Sequence, residues 1–219
     1  MRSPAFPSRP APWLLFAVAA VVAAVLSYPY LGLDVTRSRL DVPAGLHYGV
    51  LVVHVFTAAV AVVLGPLQFV PAVRAHRRTH RAIGRCYLLA GVLPSALAAV
   101  PVAAWSGNLL TQVSLSTAAV LWLGTGALAY QAARRRDIAR HRAWMMRNYA
   151  LTFLAVTARL LVPLLLLVQV LLGDGDNGPI ADRVAGTIPV GQTLGWIVNL
   201  AVVEVLLHRR NLRPAHTQP

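Results

Sequence analysis

The sequence predicts an all-α integral membrane protein, a six-helix bundle with both termini on the cytoplasmic side. Three observations predict it. Of 219 residues, 57% are hydrophobic and only 12% charged, and the mean hydropathy is +0.62, whereas a soluble domain carries about 25% charged residues. Apolar runs of the roughly 20 residues needed to cross a ~30 Å hydrocarbon core occur six times. The arginines cluster in alternate connections, as the positive-inside rule requires. Residues 1–219 therefore read as a single transmembrane domain.

The first span, about 13–31, follows Arg2 and Arg9, so a secretory signal peptide has to be weighed. Its apolar run exceeds the usual 7–15 residue signal core and no A-x-A site follows it, so it reads as an uncleaved span. The others cover about 47–70, 83–104, 113–133, 144–172 and 190–207. The N-terminal tail, the connections between spans 2 and 3 and between spans 4 and 5, and the C-terminal tail carry nearly all the arginines. The opposite side holds only Arg37, Arg39 and Arg183. The 173–189 connection contains Asp174 and Asp176, but Gly178, Pro179 and Ala185 stand where an EF-hand calcium loop needs an acid or amide, a glycine and a glutamate. It reads as a plain polar loop.

Several function classes drop out. The net charge is +13, from 20 arginines and no lysine, yet no polar domain exists to present that charge to nucleic acid. A lone Cys86 excludes an internal disulfide and a thiolate-rich metal site. No nucleophile elbow or carboxylate pair is present, so the chain leans away from catalysis. Gly124 to Ala129 fits the dinucleotide pattern GxGxxA, but inside an apolar span it reads as a close-packing device.

Internal similarity runs through the middle of the chain. His80-Arg81-Ala82, Arg85 and Tyr87 open span 3, and His141-Arg142-Ala143, Arg147 and Tyr149 open span 5. Gly65 then matches Gly126, and Pro101 matches Pro163. Spans 2–3 and 4–5 read as a parallel repeat of one helical hairpin. The motifs GPLQF at Gly65–Phe69, HRAIGRCY at His80–Tyr87 and HRAWMMRNYALT at His141–Thr152, followed by Arg159, resemble a family of bacterial multi-pass membrane proteins catalogued as domain of unknown function 2306. The resemblance implies a bacterial cytoplasmic membrane and no particular activity.

Ionisable groups within spans are costly and usually face the bundle interior or a cavity. They are His54, Arg159 and Glu204, with Gln68 and Asn199 as uncharged companions. Arg159 lies about 12 residues from the inner end of span 5, roughly 18 Å along the helix, and Pro163 four residues on leaves the Arg159 carbonyl without its helical donor. A pocket at the bundle centre is one expectation, with Arg159, His54, Glu204, Asn199 and Gln68 around a small anionic or polar-headed molecule. The alternative is a buried Arg159–Glu204 pair, with Asn199 as its third member, locking span 6 against span 5. Gln68 is expected to satisfy backbone loosened by Pro66.

His80 and His141 are candidate ligands for haem b, with Arg81, Arg85, Arg142 and Arg147 near its propionates. The competing role for the same residues is contact with anionic lipid headgroups. Three functions stay open: binding or transport of a small anionic or polar-headed molecule, a haem- or quinone-linked redox component, and a non-catalytic partner that binds lipid or protein.

Overall fold

Residues 11–40, 42–172 and 179–211 are described by the computed structural model. Arg2, Arg9, Arg213, Asp174 and Asp176 lie outside them. Among the described residues every regular element is helical. Six helical stretches are long and apolar enough to cross a membrane: Pro12–Tyr30, Leu46–Leu67, Arg77–Ala104, Leu109–Arg134, Leu154–Leu171 and Ile180–Arg210. The all-α six-span architecture is thus as the hydropathy pattern requires. The chain packs as two compact units, Met1–Ser95 and Ala96–Pro219.

In the first unit, α1 (Ala11–Ser27) packs on α2 (Leu46–Leu67). The connection between them is organised locally. Asp34 accepts from the backbone N–H and the hydroxyl of Thr36, at 2.9 and 2.7 Å, and caps a short turn over Val35–Arg37. The short α3 (Pro71–Ala75) leads to α4 (Arg77–Cys86), which runs into a π-helical turn at Tyr87–Val92 and then α5 (Leu93–Ala104). The π turn has a covalent cause in Pro94. Its ring would collide with the carbonyl of Ala90 in a regular helix, and the backbone widens so that the Leu93 N–H reaches the Leu88 carbonyl, five residues back.

Helix α2 and the α4–π segment run antiparallel, and three contacts mark their register. A Cβ on Gly84 would stand 3.2 Å from Gln68 Oε1, and one on Gly91 would fall 2.9 Å from the backbone nitrogen of Ala61. One turn farther on, His54 Nδ1 lies 2.9 Å from the Ser95 carbonyl. Only a glycine at 91 allows the two backbones this close.

The second unit holds α6 (Leu109–Arg134), α7 (Ile138–Thr152), α8 (Leu154–Leu171) and α9 (Ile180–Asn211). Asn108 caps α6 by accepting from the Thr111 N–H at 3.0 Å, and Asp137 caps α7 by accepting from the Arg140 N–H at 3.0 Å. Helices α6 and α7 are joined by buried polar rungs. The fully buried Asn148 donates to the Trp122 carbonyl at 2.7 Å and to Thr125 Oγ1 at 2.9 Å, while Trp122 Nε1 donates to Thr152 Oγ1 at 2.9 Å. Every one of these donors would otherwise face hydrocarbon.

Two expectations need correction here. The fifth span is interrupted at Phe153, between α7 and α8, while α8 continues as α-helix through Pro163. Thr152 Oγ1 donates to the Asn148 carbonyl at 3.1 Å, a back-bond to the preceding turn of the kind that bends helices. Gly124 is no packing device, since a Cβ there meets nothing within 4 Å. The close contacts belong to Gly191 and Gly195 on α9, where a Cβ would meet Val162 Cγ2 at 2.5 Å and Leu154 Cδ1 at 2.9 Å. They form a GxxxG pair that seats α9 on α8.

Gly91→Ala should therefore destabilise by about 1–3 kcal/mol through overpacking against backbone, whereas Gly124→Ala should be neutral or stabilising by up to ~1 kcal/mol from helix propensity. Reversible unfolding of the two variants in mixed micelles measures the contrast. Equal costs at the two positions would contradict the packing described.

Candidate functional site between helices α8 and α9

Where Gly191 and Gly195 hold α9 against α8, no space is left between the helices. A cavity of about 230 Å³ opens toward the connection, lined by Leu165, Gln169, Arg183, Gly186, Thr187 and Val190. Its polar wall is a short hydrogen-bonded chain. Gln169 Nε2 donates to Thr187 Oγ1 at 3.3 Å, and Thr187 Oγ1 donates to the Arg183 carbonyl at 2.7 Å. The Arg183 Nη2 atom is buried and, among the described residues, makes no hydrogen bond.

The height of this cavity follows from the rungs below it. Trp196 Nε1 donates to Ser114 Oγ at 2.9 Å, and Gly195 faces Ala158, so these residues share a layer. Ser114 is five residues from the start of α6, about 8 Å. Arg183 is thirteen residues before Trp196 on α9, about 20 Å farther toward the connection. The cavity sits toward the connected ends of α8 and α9, not at the middle of these helices.

The same register relocates the sequence-derived site residues. Arg159 follows Ala158 and belongs to the layer of Gly195 and Ser114, in the first half of α8 and well away from the connection that follows Leu171. Its side chain is exposed and Nη1 donates to the Ala155 carbonyl at 2.7 Å. Glu204 is bound elsewhere. Arg147 grips it with two bonds, Nε to Oε1 at 2.6 Å and Nη2 to Oε2 at 2.8 Å, and lies 4.7 Å from the centroid of the Trp144 ring. The expected Arg159–Glu204 pair is therefore replaced by Arg147–Glu204. Asn199 donates from Nδ2 to the Ala150 carbonyl at 2.9 Å and accepts from Thr157 Oγ1 at 2.8 Å. It bridges the break at Phe153, supplying a donor to a carbonyl whose regular helical partner would be Leu154, and is no third member of an ion pair.

None of the remaining candidates is among the residues that line the cavity. His54 is on α2, with Ser95 Oγ 3.1 Å from its Nδ1 in addition to the carbonyl contact, so it ties α2 to α5. Gln68 is buried at the end of α2, but its Nε2 makes no hydrogen bond, so it does not satisfy the backbone loosened by Pro66. His80, Arg81 and Arg85 are on α4, with both arginines exposed. His141 and Arg142 are on α7, and His141 Nδ1 is 2.9 Å from the Ala129 carbonyl, which ties α7 to α6. Among the described residues no group of three or more His, Cys, Asp or Glu side chains could hold a metal ion.

Arg183 carried only a topological meaning in the sequence. Its distance of four residues from Thr187 along one helix face was the available signal, and without the pairing of α8 to α9 nothing connected it to Gln169.

A family model described as "Predicted membrane protein (DUF2306)" matches residues 51–207. The chain belongs to this family. The matched region runs from α2 through nearly all of α9 and so contains every candidate above. No curated protein and no solved structure matches the chain.

The Arg147–Glu204 pair is partly open to its surroundings, with side-chain exposures of 24% and 53%, so its net contribution is small. A double-mutant cycle with Arg147→Gln and Glu204→Gln, read by unfolding in mixed micelles, should give a coupling of about 1 kcal/mol or less. The parallel cycle with Arg159→Gln should give none. Coupling of Glu204 to Arg159 that exceeds its coupling to Arg147 would contradict the register.

Proposed function

We propose that this member of the family binds a small anionic or polar-headed molecule at the α8–α9 cavity, in a cytoplasmic membrane and with both termini on the cytoplasmic side. The observation that carries the proposal is the buried, unbonded Nη2 of Arg183 in the wall of that cavity. A guanidinium nitrogen shielded from solvent costs about 1–3 kcal/mol or more when left without an acceptor, so an acceptor that enters the cavity gains a charge-assisted hydrogen bond there. The orientation rests on arginine distribution, since Arg37, Arg39 and Arg183 alone face the side opposite the basic connections. It puts the mouth of the cavity on the non-cytoplasmic face.

The two-hairpin repeat belongs to the same proposal. Tyr87 and Tyr149, which occupy matched positions, are both buried, and the matched Leu97 and Arg159 are both exposed. If the hairpins are copies, the α8–α9 contact is what distinguishes the second. That contact supports a site on one half of the chain only.

Gly186 offers a clean test because a Cβ there meets nothing within 4 Å, so Gly186→Leu adds bulk to the cavity wall without strain. Purified full-length protein in maltoside detergent is unfolded thermally with phosphatidylglycerol, phosphatidylethanolamine, decanoate or inorganic phosphate present. At least one should raise the midpoint by several degrees, as binding to the folded state requires, and Gly186→Leu should abolish the rise. No shift with any of the four, or an undiminished shift in Gly186→Leu, would contradict the proposal.

A further inference from the structure

Resting on the cavity as a binding site, we infer that the group it takes is an oxyanion, a phosphate or carboxylate, held by Arg183. The hydrogen-bond directions around the cavity leave donors without acceptors. Thr187 gives its only proton to the Arg183 carbonyl, so it cannot donate to Gln169. The Gln169 atom facing Thr187 must therefore be the nitrogen, which settles the orientation of that amide. The second amide hydrogen of Gln169 and the Nη2 hydrogens of Arg183 are then the donors left near the cavity, and a guanidinium has no acceptor to offer in return. Among the described residues no carboxylate lines the cavity. Asp182, one residue before Arg183, is exposed and stands outside the lining.

The helix dipoles do not decide the sign. The N-terminal turns of α9 and the C-terminal turns of α8 lie side by side with opposite partial charges, so their effects offset. The field is that of Arg183, and a planar fork of donors matches two oxygens of one oxyanion.

Size narrows the occupant further. A volume of about 230 Å³ is below the roughly 300–1,000 Å³ of pockets that enclose whole drug-sized ligands. The cavity admits a headgroup or a free ion. Leu165 and Val190 form its apolar wall, and on the connected ends of α8 and α9 Leu171, Leu172 and Ile180 are exposed. A tail attached to the oxyanion would lie along those side chains at the membrane boundary. Phosphate chemistry is common to a lipid headgroup and free phosphate, and the experiment separates the two sources.

Full-length protein in maltoside detergent is titrated with phosphatidylglycerol, diacylglycerol and inorganic phosphate, and bound species are counted by native mass spectrometry for wild type, Arg183→Gln, Arg159→Gln and Gly186→Leu. One phosphatidylglycerol per chain is expected, with affinity lowered about tenfold or more by Arg183→Gln, the loss of a charge-assisted pair, and unchanged by Arg159→Gln. Diacylglycerol should not bind. Saturable binding of inorganic phosphate with the same dependence on Arg183 also upholds the inference and makes the source a free ion. Diacylglycerol binding as tightly as phosphatidylglycerol, lost in Gly186→Leu but retained in Arg183→Gln, would leave the cavity as a site and overturn the oxyanion. Absence of binding by all three probes would overturn the cavity as a site as well.

Discussion

The second unit depends on one contact, the seating of Gly191 and Gly195 of α9 on Val162, Leu154 and Ala158 of α8. Lipid chains are as apolar as leucine, so helices in a membrane associate through packing and hydrogen bonds, not through hydrophobic gain. A glycine pair at i and i+4 is the local means of letting backbones touch. Once that contact is made, the register of α9 is set along its whole length. Glu204 falls opposite Arg147, Asn199 falls on the break at Phe153, and Thr187 falls on Gln169.

Polar satisfaction follows the same order. The interruption between α7 and α8 would expose backbone carbonyls to hydrocarbon, and Asn199 supplies the donor to Ala150 that α8 does not. In the first unit a different device meets a similar problem. Pro94 removes a donor from the third span, and the π turn absorbs its ring while keeping Gly91 against Ala61. Both irregularities sit beside a glycine contact between antiparallel helices.

The six spans were legible because apolar length and arginine placement are properties of composition and order, and a membrane enforces both. The details of the site were not. In the sequence Arg159 stands out as a charge within an apolar run and Glu204 as the one acid of the expected spans, but which groups pair depends on the register of two helices. That register is set by Gly191 and Gly195, which in sequence look like any other small residues. The break at Phe153 has no proline or glycine to announce it, and its threonine back-bond at Thr152 is visible only with neighbouring turns in place. Arg183 was counted with the outer loop because α9 begins ten residues earlier than its apolar run suggests.

Arg183 is accordingly the residue on which a functional account rests, and an experimental density map of the full chain in anionic lipid nanodiscs examines it most directly. Non-protein density is expected between α8 and α9, in hydrogen-bonding contact with the Arg183 guanidinium and adjacent to Gln169. A closed gap at this level, with the guanidinium paired to a carboxylate of the chain itself, would contradict it.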